Sequence, residues 1–393
     1  MIPEYRARFN AGFTPEKYRT FLTRLEAACG VPVAFRNCET PCFFPAGLID
    51  RMSLDGADLI RQLNTPEYRA ISRQAVPPKF DVPGEPDHPL FLQVDFGLVR
   101  EPSGEIAPRL VEIQAFPSLY AYQPTLSSVY MDAYGLDRNL RHLLGGLDPE
   151  GYRLLLSRAI LGRYDPENVI LMEVDPLHQK TLADFLLTEK MLGVRAVSIT
   201  AIEKEGRRLY YRRDGRRVPI LRIYNRTIVD ELERRKVTPP FDFREDLDVE
   251  WAGHPNDYFR ISKFSIPYLR HASVPRTWFL DRIESIPPDT ENYVLKPLYS
   301  FAGLGVCIGP TSEEVEAIPA EQRHNYILQE RVDFEPVIET PLGKTRAEIR
   351  IMYIWLEELR PVSLLVRMGR GSMMGVDHNK NMEWVGASAG LCE

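Results

Sequence analysis

The chain has 393 residues, 44% apolar and 26% charged, enough for two or three packed units of ordinary globular composition. A formal net charge of −6 and a pI near 5.8 argue against a general nucleic-acid binder, and Arg216-Arg217 and Arg234-Arg235 read as solvated faces. No uncharged apolar run approaches the ~20 residues of a membrane helix, and MIPEYRARFN has no signal-like apolar core, so a cytoplasmic protein with no membrane partner is expected.

Thr14-Pro15 predicts a helix start, with Thr14 as N-cap. Tyr18, Phe21, Leu22 and Leu25 then recur at helical spacing, and Gly30 stops the helix. Five cysteines, at 29, 38, 42, 307 and 392, lack a paired pattern and suit a reducing compartment. Cys38 and Cys42 read as two ordinary thiols rather than a zinc site. FLQVDFGLV and RLVEIQAF predict a strand and its returning partner, joined by a long tip, REPSGEIAP.

ENVILMEV, a helix from Asp175-Pro176 to about Leu192, and VRAVSI predict a β-α-β unit with parallel strands. RRLYYRRDGRRVPILRIYN predicts a hairpin around Asp214-Gly215. The irregular acidic stretch 239–256 marks a boundary. Beyond it come a short helix around RISKFSIPYLR and the strands ENYVLKPL, GVCIG, YILQERV, AEIRIMYIWL and RPVSLLVRM. The expectation is a mixed α/β chain in three spans, 1–165, 166–250 and 251–393.

Four groups of residues carry candidate chemistry. In YVLKPLYSFAGLGV, Lys296 precedes a small-residue loop whose backbone N–H groups could cradle a phosphate; the plainer reading is a snorkelling lysine beside a tight turn. This is not a Walker motif, because the lysine comes before the glycines. Gln329 and Glu330 end the run YILQERV, where they could meet an adenine edge or simply close a strand. Lys263 lies in an apolar segment, normally a solvated position. Glu348 and Arg350 share a strand face and are followed by Arg367; they could pair with each other or meet a ligand.

Oxygen donors for magnesium come from Asp95 and from Glu112 and Gln114, which share a face of the returning strand. Their alternative is a solvent-facing sheet edge. Asp377, His378, Asn379 and Asn381 in GVDHNKNMEW form a second polar set, suited to touching substrate or covering a ligand, or to a polar loop ending in a small-residue turn. Arg222 or Arg226 in RIYNRTIVDEL could hold a substrate carboxylate or make an internal salt bridge.

Taken together, Lys263 ahead of VPRT, Lys296 in VLKPLYSFAGLGV and Gln329-Glu330 in YILQERV resemble the ATP-grasp fold. The acids precede the glycine loop instead of following it. That order is similar to the glutathionylspermidine synthase family, a circularly permuted ATP-grasp group, over roughly 90–130 and 255–370. The chain departs from the family at Gln114, where the family has Asn, and at SFAGLG, where the family loop carries arginine and glutamate. A Cys/His amidase domain of the kind some members carry is not expected here.

The resemblance implies a permuted ATP-grasp fold with a Rossmann-like unit ahead of it. It implies an ATP-dependent carboxylate–amine ligase working through an acyl phosphate, with small-molecule carboxylate and amine substrates. Magnesium would sit on Asp95, Glu112 and Gln114. Lys263 and Lys296 would neutralise phosphate oxygens, and the backbone of Ser300, Ala302, Gly303 and Gly305 would close over them. Gln329 and Glu330 would lie near adenine and ribose, and Arg350 or Arg367 would stabilise the transferring phosphoryl group. The alternative is a nucleotide-binding pseudo-ligase or partner module without catalysis. A third reading is a scaffold whose glycine loop only turns the chain. Oligomeric state stays open, with a homodimer as one arrangement.

Overall fold

The computed structural model describes residues 1–299, 304–371, 374, 379 and 381–393, with the backbone alone at Asp230. The strands of its first half are β1 (Cys42–Phe44), β2 (Phe91–Arg100), β3 (Ile106–Gln114), β4 (Val169–Glu173), β5 (Arg195–Ser198), β6 (Glu203–Glu205), β7 (Arg208–Arg213), β8 (Arg216–Ile220) and β9 (Arg222–Asn225). The second half adds β10 (Glu250–Ala252), β11 (Thr277–Phe279), β12 (Tyr293–Pro297), β13 (Cys307–Ile308), β14 (Tyr326–Glu330), β15 (Ile338–Thr340), β16 (Gly343–Trp355), β17 (Leu359–Gly369) and β18 (Gly386–Cys392).

The most regular alternating segments meet in one seven-stranded sheet, ordered β1-β18-β17-β16-β2-β3, with β15 beside β16. Segments from both ends of the chain therefore interleave. Alternation gives this sheet two unlike faces. Leu92, Val94 and Phe96 join Ile349, Ile351, Tyr353, Leu364 and Val366 on an apolar face. The helix Ala46–Gln62 covers that face with Ile49, Met52, Leu59 and Ile60, and the Tyr353 hydroxyl donates to the Ser53 carbonyl at 2.8 Å. The reverse face is apolar at one end, where Phe91, Met352, Ile354 and Leu365 join a second cluster. Beyond them it turns charged, and the candidate site begins.

β2 and β3 form the expected hairpin, with a tip shorter than expected because β3 already starts at Ile106. The helix Pro15–Cys29 also forms as expected. Thr14 Oγ1 accepts from the Lys17 N–H at 3.3 Å, and Gly30 ends the helix with φ 75°.

A second sheet, β10-β9-β4-β5, is parallel throughout, as the β-α-β reading requires. Its helix departs from expectation. Asp175 takes a left-handed backbone, φ 48°, and Pro176–His178 forms a single 3₁₀ turn. The α-helix runs only from Leu182 to Leu192, before Gly193. A proline and an N-cap type side chain there start a turn, not the helix. The hairpin of β7 and β8 turns at Asp214 and Gly215, both at positive φ, as a two-residue loop requires. A third sheet, β11-β14-β12-β13, is antiparallel.

The segment GASAGLC, read in sequence as a small-residue turn, is instead the wholly buried strand β18, held between β1 and β17. Its small residues permit close packing: a Cβ on Gly390 would stand 2.3 Å from Leu364 Cδ1. All five cysteines are free. Cys38 and Cys42 are fully buried, and burial pushes the Cys42 thiol up to about 12. No helix among the described residues is long and apolar enough to cross a membrane.

Candidate functional site

Strand register assembles the charged face. β2 and β3 pair Asp95 with Glu112 and Gln93 with Gln114. β16 sets Arg350 opposite Asp95, and β17 sets Arg367 opposite Glu348. Directly opposed residues share a face, so four adjacent strands deliver Arg367, Glu348, Arg350, Gln93, Asp95, Glu112 and Gln114 to one surface.

The free edge of β3 is covered by the segment 261–273. The Ala115 N–H donates to the Ile261 carbonyl at 3.0 Å, and the Leu110 N–H to the Ser273 carbonyl at 2.8 Å. This segment carries Lys263, whose Nζ lies 3.3 Å from Glu112 Oε1. The antiparallel sheet closes the other side. Lys296 on β12 and Gln329 on β14 share a face, and Lys296 Nζ donates to Gln329 Oε1 at 2.5 Å and to the Val111 carbonyl of β3 at 3.1 Å. Lys296 thus bridges the two sheets from a buried position, 8% exposed.

Arg350 organises the centre. Its Nε and Nη2 fork onto the two oxygens of Asp95 at 2.5 and 2.6 Å, and Nη1 donates to Gln93 Oε1 at 2.7 Å. Assigning the Gln114 amide by its neighbours, since the Arg350 donors need an acceptor, sets its oxygen 2.8 Å from Nη2 and 2.9 Å from Nη1. All five N–H groups of an arginine are then satisfied. Arg367 uses Nη1 alone, shared between Asp95 at 3.2 Å and Glu348. Its other N–H groups have no hydrogen-bond partner among the described residues.

The titration of these groups follows their surroundings. Burial pushes the Asp95 carboxyl up, but Arg350 and Arg367 outweigh it and hold Asp95 below the usual carboxylate range. Burial raises Glu348, with Arg367 opposing. Burial likewise works against the Arg367 cation, yet Glu348 and Asp95 overcome it and raise its pKa. Lys296 is pulled down by burial to about 8, with Glu112 opposing and Lys263 assisting.

The structure therefore brings together Asp95, Glu112, Gln114, Lys263, Lys296, Gln329, Arg350 and Arg367. Glu330 departs from this set: adjacent strand residues point to opposite faces, and Glu330 pairs with Arg276 at 3.4 Å near the surface. Gly305 has φ 72°, and a Cβ there would stand 3.0 Å from Pro297 Cγ. Ser300, Ala302, Gly303, Asp377 and His378 lie outside the described residues. Asn379 accepts from the Arg370 N–H at 3.2 Å, while Asn381 is exposed.

Two roles differ from expectation. Arg350 has no spare N–H for a phosphoryl group, which leaves Arg367 as the arginine able to donate. Asp95 and Gln114 are also arranged as acceptors for Arg350, and this does not fit the expected magnesium set. Two unit charges ~4 Å apart repel by about 4 kcal/mol at an effective dielectric near 20, and a divalent ion on Asp95 would face two guanidiniums. Among the described residues no three His, Cys, Asp or Glu side chains are arranged to hold a metal ion.

The sequence reading singled out neither Gln93 nor its role. Its signal was present: it lies two residues before Asp95 in one strand, on the same face. Gln329 Nε2 is buried without a partner among the described residues, in keeping with a ligand acceptor in the cleft. Arg222 is structural, pairing with Glu250 at 2.8 Å and donating to the Ala159 and Ile160 carbonyls. Arg226, at the end of β9, donates to the Pro117 carbonyl and lies over the Phe116 ring, while its buried Nε has no partner among the described residues.

No protein-family model matches the chain, and no curated protein matches it. Among solved structures, it is similar to a glutathione synthetase-like effector from Globodera pallida in its apo form. That likeness has a TM-score of 0.56 and 11% identity, covering 96% of this chain and 98% of the other. At that identity the match establishes a shared glutathione synthetase-like fold of mixed α/β type, and nothing beyond fold.

Proposed function

We propose that this chain is an ADP-forming carboxylate–amine ligase of ATP-grasp type, with the motif order of the permuted group. One observation carries the proposal. Lys263, Lys296, Gln329 and Arg367 come from four separate segments and converge where the seven-stranded mixed sheet meets the antiparallel sheet β11-β14-β12-β13. The two hydrogen-bond acceptors of Lys296, Val111 and Gln329, are neutral, and a phosphate ligand would offset the burial of its charge beyond what nearby Glu112 does.

In this reading Lys263 and Lys296 neutralise phosphate oxygens of ATP. Gln329 Nε2 donates to the nucleotide. Arg367, with N–H groups to spare, meets the transferring phosphoryl group as a substrate carboxylate attacks it. Arg226, whose buried Nε has no partner among the described residues, is our assignment for the substrate carboxylate. An amine then displaces phosphate from the acyl phosphate to form an amide. Holding the reactants in line would supply much of the rate. We assign no step to magnesium, because two of its three expected ligands are turned to Arg350; Glu112 is the acid left to meet a cation arriving on ATP.

Calorimetric titration of ATP, followed by an ADP-release screen over amino acids, short peptides and polyamines, tests the proposal. Micromolar binding that Lys296→Ala weakens at least tenfold (~1.4 kcal/mol), together with amine-dependent ADP release, is the expected result. No binding by the wild type refutes it. Binding without turnover on any carboxylate and amine pair would favour the second reading, a nucleotide-binding module without catalysis. The closed ring of Arg350, Asp95, Gln93 and Gln114 is the observation that favours that reading.

A further inference from the structure

The charged cleft contains Lys263, Lys296, Arg350 and Arg367 against Asp95, Glu112 and Glu348. Each of these acids has a cation at hydrogen-bond or ion-pair distance. The arginine pair, Arg350 and Arg367, gathers side-chain oxygens from Asp95, Gln93, Gln114 and Glu348. A pair of guanidiniums carries the same formal charge as one divalent ion. It meets the same kind of oxygen donors, carboxylates and amide carbonyls, that magnesium prefers. Unlike an ion, it is tethered to two neighbouring strands, and its dehydration is met once, on folding.

We infer that Arg350 and Arg367 take the place of a protein-held divalent cation in this cleft. Asp95 and Gln114 then ligate no metal, and a phosphate-bearing ligand is met directly by Arg367, Lys263 and Lys296. Arg350 is a positioning residue in this arrangement: it fixes Asp95, and Asp95 in turn aims Arg367 through its 3.2 Å contact. The phosphate contacts rest on the ligase reading, whereas the pairing of Arg350 and Arg367 with Asp95 and Gln114 stands on the side chains alone and can fail while the nucleotide assignment survives.

The test is Mn²⁺ titration followed by electron paramagnetic resonance, on the full chain without nucleotide. Wild type, Asp95→Asn and Arg350→Met are compared. Wild type is expected to bind no Mn²⁺, or to bind it with an affinity that Asp95→Asn leaves unchanged. Arg350→Met, which releases Asp95 and Gln114, is expected to bind Mn²⁺ at least tenfold more tightly than wild type. Wild-type binding that Asp95→Asn weakens tenfold overturns the inference. Arg350→Met could fail to fold, since it leaves a buried carboxylate short of a partner. The comparison of wild type with Asp95→Asn then decides alone, because the amide introduced by that substitution keeps an oxygen for Arg350.

Discussion

Lys296 offers the sharpest physical test of the cleft. Its pKa is about 8 against an ordinary 10.5, a gap worth about 3 kcal/mol of native-state penalty on the charged form. The sign follows from proton counts. Below pH 8 the native and unfolded states both hold the proton, and the penalty is constant. Between 8 and 10.5 the unfolded chain still holds it while the native state releases it, so stability rises with pH across that window. Lys296→Met removes this dependence. It also removes the hydrogen bonds to Val111 and Gln329, but that loss is a constant offset. Urea unfolding of both proteins from pH 7 to 9.5 should therefore show the wild type gaining about 2 kcal/mol on the variant. A difference that stays flat, or runs the other way, would refute the buried, bridging lysine. The same lysine should make ATP binding weaken above pH 8, by up to tenfold per pH unit.

Other outcomes can be stated more briefly. Arg350→Met should destabilise the protein by about 3–5 kcal/mol in urea unfolding, because Asp95 stays buried without its fork, and Arg350→Lys should recover little of that loss. Glu173, raised by burial to about 7 with Arg226 opposing, should lower wild-type stability as pH rises from about 4.5 to 7; Glu173→Gln should flatten that slope. Gly390→Ala would force a Cβ to 2.3 Å from Leu364, and should lower the unfolding midpoint by the equivalent of about 1–3 kcal/mol.

Local patterns were legible in the sequence; distant pairings were not. The β2–β3 hairpin and the shared face of Asp95, Glu112 and Gln114 follow from period-two alternation over a short connection. The partner of Asp95 does not, because Arg350 lies 255 residues away, and only the register of β16 on β2 sets the two opposite each other. A glutamine such as Gln93 draws no notice until its neighbours are known. The strand β18 was hidden by its composition: Gly, Ala and Ser carry little strand preference, and what makes GASAGLC a strand is the tight space between β1 and β17. Gln329 and Glu330 do not meet one ligand together, since neighbours in a strand face opposite ways. The structure gathers eight of the named side chains, and nothing in the sequence warned that two of the three oxygen donors would face an arginine.

The interleaved sheet has a consequence for how the protein is made. Asp95 and Gln93 leave the ribosome 255 and 257 residues ahead of the guanidinium that neutralises them. At synthesis rates of about 5–20 residues per second, that interval is on the order of ten seconds to a minute. Throughout it the β2–β3 hairpin has an unfinished apolar face and an unmatched acid, and β1 waits longer still for β18. The cleft is thus one of the last things this polypeptide acquires. A nascent chain offers no ligand a foothold until β16 pairs with β2.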